Sequence, residues 1–566
     1  MEWSVVTGRA SRPRRPRCPG CRRGFGVSVW ALLGVVVVLS GCSAAPSTAP
    51  TGPVARAAAQ DLRVAVGADE FLPGTPPTPN LGLLADGLNP GIFETLTVLT
   101  PSFGLRPGLA LRWQAQSATS WRFELRPRVR FHDGTPLTAA AVVASLQRLS
   151  GGNSTTERGE VPLRSNRPRG LEPDSAAAVD ELTVQIALSE PNLRLAEQLA
   201  DPLTAVQAAG TEAGNGSTPA LTPTGTGPFQ FVAYRPGVDL QVSGYPAYWD
   251  GAPELHSITF RFGADKDASL LLATGQVDAV GYIAAELLAN VSDGNDRQVN
   301  SAPARAAFML LNHGGIGPWS TLREDPVRQA VALAVDRTIV ADTAWPDYVE
   351  PNASLIPAVV LGAAAQDTPP RRPDPAAAEE LLDKAGWTLG PDRIRTRDGQ
   401  RLTLDLLIRQ PTDGLPAAAD SIGDQLAAVG IATTTADQLP GNPIPLQRVN
   451  NATFDLFIDL RPQTDANPCA LCRLFTIRPG GDLTVAGVVG AGPAADTLFD
   501  QAYAATSPDS ARRLAADLLT VVLTDQHLAL PLATLPNTWL LSPQVTGFEP
   551  AAASGTQQWQ NIYLTR

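Results

Sequence analysis

The chain's five cysteines and four histidines are its residues best suited to covalent or metal chemistry, and their spacing limits both. Cys42 ends the run Leu39-Ser40-Gly41-Cys42, which has the form of a bacterial lipobox. Small residues at 40 and 41 let a signal peptidase reach the bond before Cys42, which then carries the lipid. Cys18 and Cys21 precede that bond and leave with the signal segment. Cys469 and Cys472 remain, three positions apart. In an oxidising compartment such a pair most simply closes a small disulfide loop; a redox-active pair is the alternative, though no thioredoxin-like context surrounds it. A structural zinc needs about four ligands. His132, His256, His313 and His527 show no metal-ligand spacing, so neither a metal nor another cofactor is expected.

Catalytic signatures are equally sparse. There is no Gly-x-Ser-x-Gly elbow, no His-Glu-x-x-His helix and no Walker-type loop. Gly214-Asn215-Gly216-Ser217 resembles a glycine-rich loop only loosely and lies in a low-complexity stretch. Paired carboxylates leave no sequence signature, so an acid–base enzyme stays open as an alternative; the expectation is a protein that is not an enzyme.

The elements that would position any site begin after an address. Seven arginines precede the apolar run Phe25–Leu39, whose fifteen residues suit a signal-peptide core better than a span of about 20. Residues 1–41 read as a lipoprotein signal peptide. Residues 42–60, rich in Ser, Ala, Pro and Thr, read as a flexible tether. The protein is therefore expected at the cell membrane, lipid-anchored on its extracytoplasmic face. Seven arginines and one glutamate put +6 on 1–41, so the remainder carries −17 of the total −11. An acidic body gives no support for nucleic-acid binding. Only Lys266 and Lys384 are lysines, a composition that hints at a GC-rich, actinobacterial genome.

Trp121–Val142 is the most legible stretch of the body. Trp121, Phe123 and Leu125 alternate at a period of two, and Val129 and Phe131 resume that alternation. Asp133-Gly134 supplies a turn, and Thr138 caps a helix that presents Val142, Leu146 and Leu149 on one face. Asp325-Pro326 and Asp374-Pro375 each read as a capping side chain followed by proline at the first helical position. Gly386 stands where a left-handed helix end wants glycine. Asp61–Val66 and Leu402–Leu406 read as strands, while 151–175 and 208–224 read as surface loops. Strands and helices interleave, so the class is α/β or mixed α+β.

As a string, Trp121–Val142 closely resembles the signature of the family 5 extracellular solute-binding proteins, the peptide, nickel and related receptors of ABC importers. Gly91–Leu96, Arg106–Ala110 with Trp113, Gly225–Phe229, Tyr248–Gly251, Gly275–Asp278, Leu311-Asn312, Val327–Ala330, Ala334–Arg337, Ala385–Trp387, Thr453–Leu456 and Leu530–Leu532 resemble further motifs of that family, in the same order. The resemblance spans roughly 61–550. It implies a two-lobed periplasmic-binding-protein-like fold with a hinge: a discontinuous lobe I of 61–95, 226–300 and 525–566, an extra domain of 96–225, and a lobe II of 301–524.

It also implies a site. Peptide-binding relatives hold an extended ligand by backbone pairing, with an acidic residue on the α-ammonium group. Asp465 occupies the corresponding place, with a turn cap before Pro468 as its plainer role. Arg461 and Gln463 are its neighbours, and Leu81, Gly82 and Leu83 form the other peptide-facing edge. Pro462 stands where relatives commonly carry tryptophan and removes a backbone donor. Trp113, Trp121 and Trp249 are expected in the core. The function implied is capture of an oligopeptide or other small solute by a monomer, for delivery to ABC permease subunits in the membrane. The alternative is a binding-fold lipoprotein uncoupled from transport, acting as a sensor or scaffold in envelope assembly.

Overall fold

Short alternating strands seed two large sheets, and the chain visits both more than once. The computed structural model divides the chain into Met1–Pro53 and Val54–Arg566. It describes residues 56–566 apart from 68–89, 102, 152–166, 209–222, 236, 264–266, 282–296, 316, 347–349, 352–353, 367–371, 410–413, 436–447, 450, 464–465, 477–489 and 554–555. Cys42, Leu81, Gly82, Leu83 and Asp465 lie outside the described residues. Among the described residues, no helix is long and apolar enough to cross a membrane.

The first sheet has seven strands in the order Arg297–Asn300, Thr538–Leu541, Ala279–Gly281, Asp61–Ala65, Ser257–Arg261, Asp239–Gly244, Phe229–Arg235. Asp61–Ala65 buries Leu62, Val64 and Ala65 and runs parallel to both neighbours, as central strands of mixed sheets do. The second has six, ordered Glu350–Pro351, Ala529–Leu535, Arg305–Leu311, Leu456–Pro462, Thr403–Ile408, Ala432–Thr435. Thr403–Ile408 is parallel to Ala432–Thr435 and to Leu456–Pro462. Helix Leu415–Ala428 makes the crossover that the parallel pair Thr403–Ile408 and Ala432–Thr435 requires.

The strand Ala529–Leu535 falls within the segment 525–566 expected in lobe I. It pairs antiparallel with Arg305–Leu311 and so belongs to the six-stranded sheet. The passage to the seven-stranded sheet comes only at Pro536-Asn537, beside the other passage at Ser301–Ala304. These two crossings are hydrogen-bonded together. Ser301 N donates to Asn537 O at 3.0 Å, Asn537 N to Ser301 Oγ at 2.9 Å, and Ala304 N to Leu535 O at 3.0 Å.

A smaller sheet, Ala110–Ser117, Ser120–Leu125, Thr183–Ala187, Ala176–Asp180, lies within 96–225. Trp121, Phe123, Leu125, Val129 and Phe131 are buried as their alternation requires. They pack against Val142 and Leu146 of helix Ala139–Gly151. Thr138 Oγ1 accepts from Ala141 N at 3.3 Å, and Gly134 takes a φ of +83°. Asp374 caps its helix through Ala377 N at 3.0 Å, and Gly386 has a φ of +84°. Asp325 does not cap. Glu324 holds the N-cap position, and the Asp325 carboxylate instead meets Arg328 at 3.0 Å and the ring of His527 at 3.3 Å.

Candidate functional site

In open α/β sheets, ligands bind beyond the carboxyl ends of parallel strands. Here those ends are Ile408 and Pro462, and three charged residues gather around them. Leu456–Pro462 reads LFIDLRP, an apolar run broken by Asp459, which is fully buried. Arg461 Nε donates to Asp459 Oδ2 at 2.7 Å, and an Arg409 guanidinium nitrogen lies 3.6 Å from the same oxygen. Leu460 N donates to Asp459 Oδ1 at 2.9 Å. Arg409 is placed by its own backbone, which donates to Ile458 O at 3.1 Å. Burial opposes ionisation of Asp459, but Arg409 and Arg461 outweigh it and hold the carboxyl below its usual range. Among the described residues, two guanidiniums flank the single Asp459 carboxylate. These arginine side chains are 31% and 21% exposed, so solvent reaches the cations but not the anion.

Gln463 follows, turned inward. Its backbone N donates to Ala304 O at 2.8 Å, and its side-chain Nε2 donates to Asn467 O at 3.2 Å. It therefore fastens the segment to one of the crossings between the sheets. Pro462 stands opposite Arg305 in the antiparallel register.

Cys469 and Cys472, expected as a disulfide, are free, buried thiols in this structure. They sit in the apolar layer with Phe457, Leu474, Phe475 and Phe499, where a thiol packs as a small apolar group. Burial, then contact with Cys469, pushes the Cys472 thiol well up, so it is a poor nucleophile. In denaturant without reductant, the protein is expected to release two more titratable thiols than its Cys469→Ser/Cys472→Ser variant. In the native state that difference is expected to vanish. A difference of zero in denaturant would establish the disulfide instead.

A second polar cluster joins the seven-stranded sheet to the smaller one. The half-buried Glu94 accepts from Thr226 Oγ1 at 2.8 Å, Tyr248 OH at 2.8 Å and Trp249 Nε1 at 3.0 Å. Arg126 stacks on the Trp249 ring at 4.2 Å. Burial pushes the Glu94 carboxyl up to about 7 despite these donors. Gly225 and Gly227 let the backbone pass Ile92 and Gly91, where a Cβ would come within 2.0 Å and 2.1 Å of their carbonyl oxygens. His132 Nε2 donates to Gly227 O at 2.9 Å while Nδ1 accepts from Gly225 N at 3.4 Å, and burial lowers its pKa. Motifs far apart in the chain thus meet here for structural reasons. Trp121 is buried, and Trp113 and Trp249 are partly buried against the same core.

Sequence reasoning named Arg461 only as a neighbour of Asp465 and did not single out Arg409 or Asp459. The signal for Asp459 was present, as one acid inside an apolar strand. Arg409 lies 50 positions away and is brought in only by parallel pairing.

Comparison with known proteins agrees with this architecture. The glutathione-binding protein GsiB of Shigella dysenteriae is 28% identical over 336 residues, covering 59% of this chain and 63% of the relative. The chain thus matches under two thirds of that relative's length. NikA of Brucella suis, solved in complex with Fe(III)-EDTA, superposes with a TM-score of 0.72 at 22% identity, covering 89% of this chain and all of that one. Binding protein DppA of Helicobacter pylori, solved with the peptide STSA, gives 0.72 at 17% identity, covering 89% and 98%. The fold is therefore that of the periplasmic binding proteins. Residues 104–476 match the family model described as "Bacterial extracellular solute-binding proteins, family 5 Middle", and the chain belongs to that family.

Proposed function

We propose that this chain is the solute-capturing component of an ABC importer and that its solutes carry a carboxylate, oligopeptides first among them. The observation supporting this reading is the Arg409–Asp459–Arg461 trio at the carboxyl ends of two parallel strands. A carboxylate arriving there meets two partly exposed guanidiniums already oriented by a buried counter-charge. Their planar forks suit bidentate recognition. Glutathione, the STSA peptide and EDTA, the partners named for the relatives, share that group.

Asp465 is the proposed acceptor for an α-ammonium group, and Leu81, Gly82 and Leu83 the proposed backbone-pairing edge. The two crossings at Ser301–Ala304 and Pro536-Asn537 are the proposed hinge. A solute that contacts both lobes favours the closed form through its differential affinity. Lipid on Cys42 would hold a monomer at the outer face of the cytoplasmic membrane, within reach of permease subunits.

Isothermal titration with reduced glutathione and trialanine tests this reading. Arg461→Ala and Arg409→Ala are each expected to weaken binding about 10- to 100-fold, the range of a charged hydrogen bond. Trialanine amide is expected to lose the same factor against the wild type and nothing further against Arg461→Ala. Asp465→Ala is expected to weaken trialanine but not N-acetyl-trialanine. If neither probe binds at millimolar concentration, carboxylate capture is wrong and the transport-uncoupled reading replaces it.

A further inference from the structure

The smaller sheet's domain reaches the six-stranded sheet as well as the seven-stranded one, and that contact ends beside the candidate site. Its docking partner is the C-terminal end of helix Gly492–Ala504. Leu193 N donates to Tyr503 O at 2.7 Å and an Arg194 guanidinium nitrogen to Ala505 O at 3.2 Å, which supplies donors to carbonyls a helix end leaves unsatisfied. Arg169 bonds Asp500 at 2.7 Å and lies 5.2 Å from the Tyr503 ring centre.

Tyr503, only 1% exposed, carries the contact inward. Its hydroxyl accepts from Gln198 Nε2 of the docked domain at 3.4 Å and from Asn467 Nδ2 at 2.7 Å. Asn467, also 1% exposed, uses every polar group of its side chain and its carbonyl locally. Its Oδ1 accepts from Cys469 N at 3.1 Å, and its O from Gln463 Nε2. Gln463 in turn is fastened to Ala304 at the crossing. A continuous hydrogen-bonded path therefore runs from the docked domain through Tyr503 and Asn467 to the crossing between the sheets. A bridging path built of buried side chains has few alternative arrangements, because each broken bond strands a buried polar group.

We propose that Tyr503 and Asn467 are positioning residues for the solute site and that docking of the smaller domain sets their geometry. Solute affinity is then coupled to a contact that touches no solute. The affinity half of this proposal rests on the carboxylate reading above; the positioning half does not.

The test uses the full chain, hydrogen exchange over 463–476 without solute, and glutathione titration. Tyr503→Phe keeps the ring and removes the hydroxyl, and Gln198→Leu removes the donor on the docked side. Asp500→Asn weakens the docking from the surface. Tyr503→Phe is expected to speed exchange in 463–476 about fivefold, the worth of about one hydrogen bond, while helices remote from the contact stay protected. Gln198→Leu and Asp500→Asn are expected to act in the same direction, and the Asp500→Asn/Tyr503→Phe pair to show less than the sum of the single effects. Glutathione affinity is expected to fall in parallel. Unchanged exchange in 463–476 with all three variants overturns the proposal, as does a uniform rise across the whole chain, which marks general destabilisation. If glutathione fails to bind the wild type, the carboxylate reading fails while the exchange data still decide the positioning.

Discussion

Glu94→Ala is expected to be among the most damaging single substitutions in this protein, lowering stability by about 3–5 kcal/mol. The alanine would strand three donors at once, the hydroxyls of Thr226 and Tyr248 and the indole N–H of Trp249. Tyr248 is buried and Trp249 partly so, and each stranded donor costs about 1–3 kcal/mol where water cannot replace the carboxylate. Because Glu94 is itself only half-buried, part of that loss is recovered by solvent, which places the sum below the largest arithmetic value. Glu94→Gln is expected to cost less, since the amide oxygen keeps one acceptor in place. The discriminating measurement is denaturant unfolding of both variants, with protease cleavage within 96–225 scored beside it. Equal stability of Glu94→Ala and wild type would mean that the donors find other partners and that the motifs meet there by packing alone. The effect should also be regional: Arg126, stacked on Trp249, loses its neighbour's anchor, so the smaller domain loosens before the six-stranded sheet does.

How far the sequence reveals such a node depends on the distance over which its parts act. The strand, turn and helix from Trp121 to Val142 are legible because period-two burial, Gly134 and Thr138 act within a few residues. Asp374 is legible as a cap for the same reason. Asp325 is not, because the identical Asp-Pro pair is claimed by His527, a partner 202 positions away. The cysteine spacing sets Cys469 and Cys472 close together, but proximity does not fix oxidation state, and the apolar layer that buries them is assembled from Phe457 and Phe499 on other elements. Likewise the apolar strand at Ala529–Leu535 looks the same whichever sheet receives it; only its pairing with Arg305–Leu311 decides. The site follows this pattern. Arg461 is read from its neighbourhood, whereas Arg409 and Asn467 acquire their roles from a parallel strand and from Tyr503. Family resemblance assembled the motifs in order without saying why Glu94, Thr226 and Trp249 belong together. The donor–acceptor geometry supplies that reason.

Asp455 carries the second large effect, and it depends on pH. This residue is 2% exposed and ties the amino ends of two parallel strands, its Oδ2 accepting from Asp405 N at 2.9 Å. Among the described residues its buried Oδ1 has no hydrogen-bond partner, nor does Oδ1 of Asn312, whose backbone N donates to Asp455 O at 2.9 Å. Burial, with the nearby Asp405 carboxylate adding to it, pushes Asp455 from 3.8 up to about 7, while the Asp405 backbone and Arg448 pull the other way. Arg448 is itself engaged by Asp405. A carboxyl whose folded pKa is raised contributes stability that is fully present below its unfolded value of 3.8 and is lost as pH rises through about 7. Wild-type protein is therefore expected to lose up to about 4 kcal/mol from this group between acidic and mildly alkaline pH, since each tenfold change in proton affinity on folding is worth about 1.4 kcal/mol. Asp455→Asn keeps an acceptor for Asp405 N, can put an amide donor in place of the buried Oδ1, and cannot ionise. Its stability is expected to match or slightly trail wild type near about pH 5 and to exceed it clearly near about pH 8.5. Thermal unfolding of both proteins across that range checks the slope. A constant difference at every pH would show that Asp455 stays ionised throughout, held by Arg448, and that its buried oxygen finds a donor in solution.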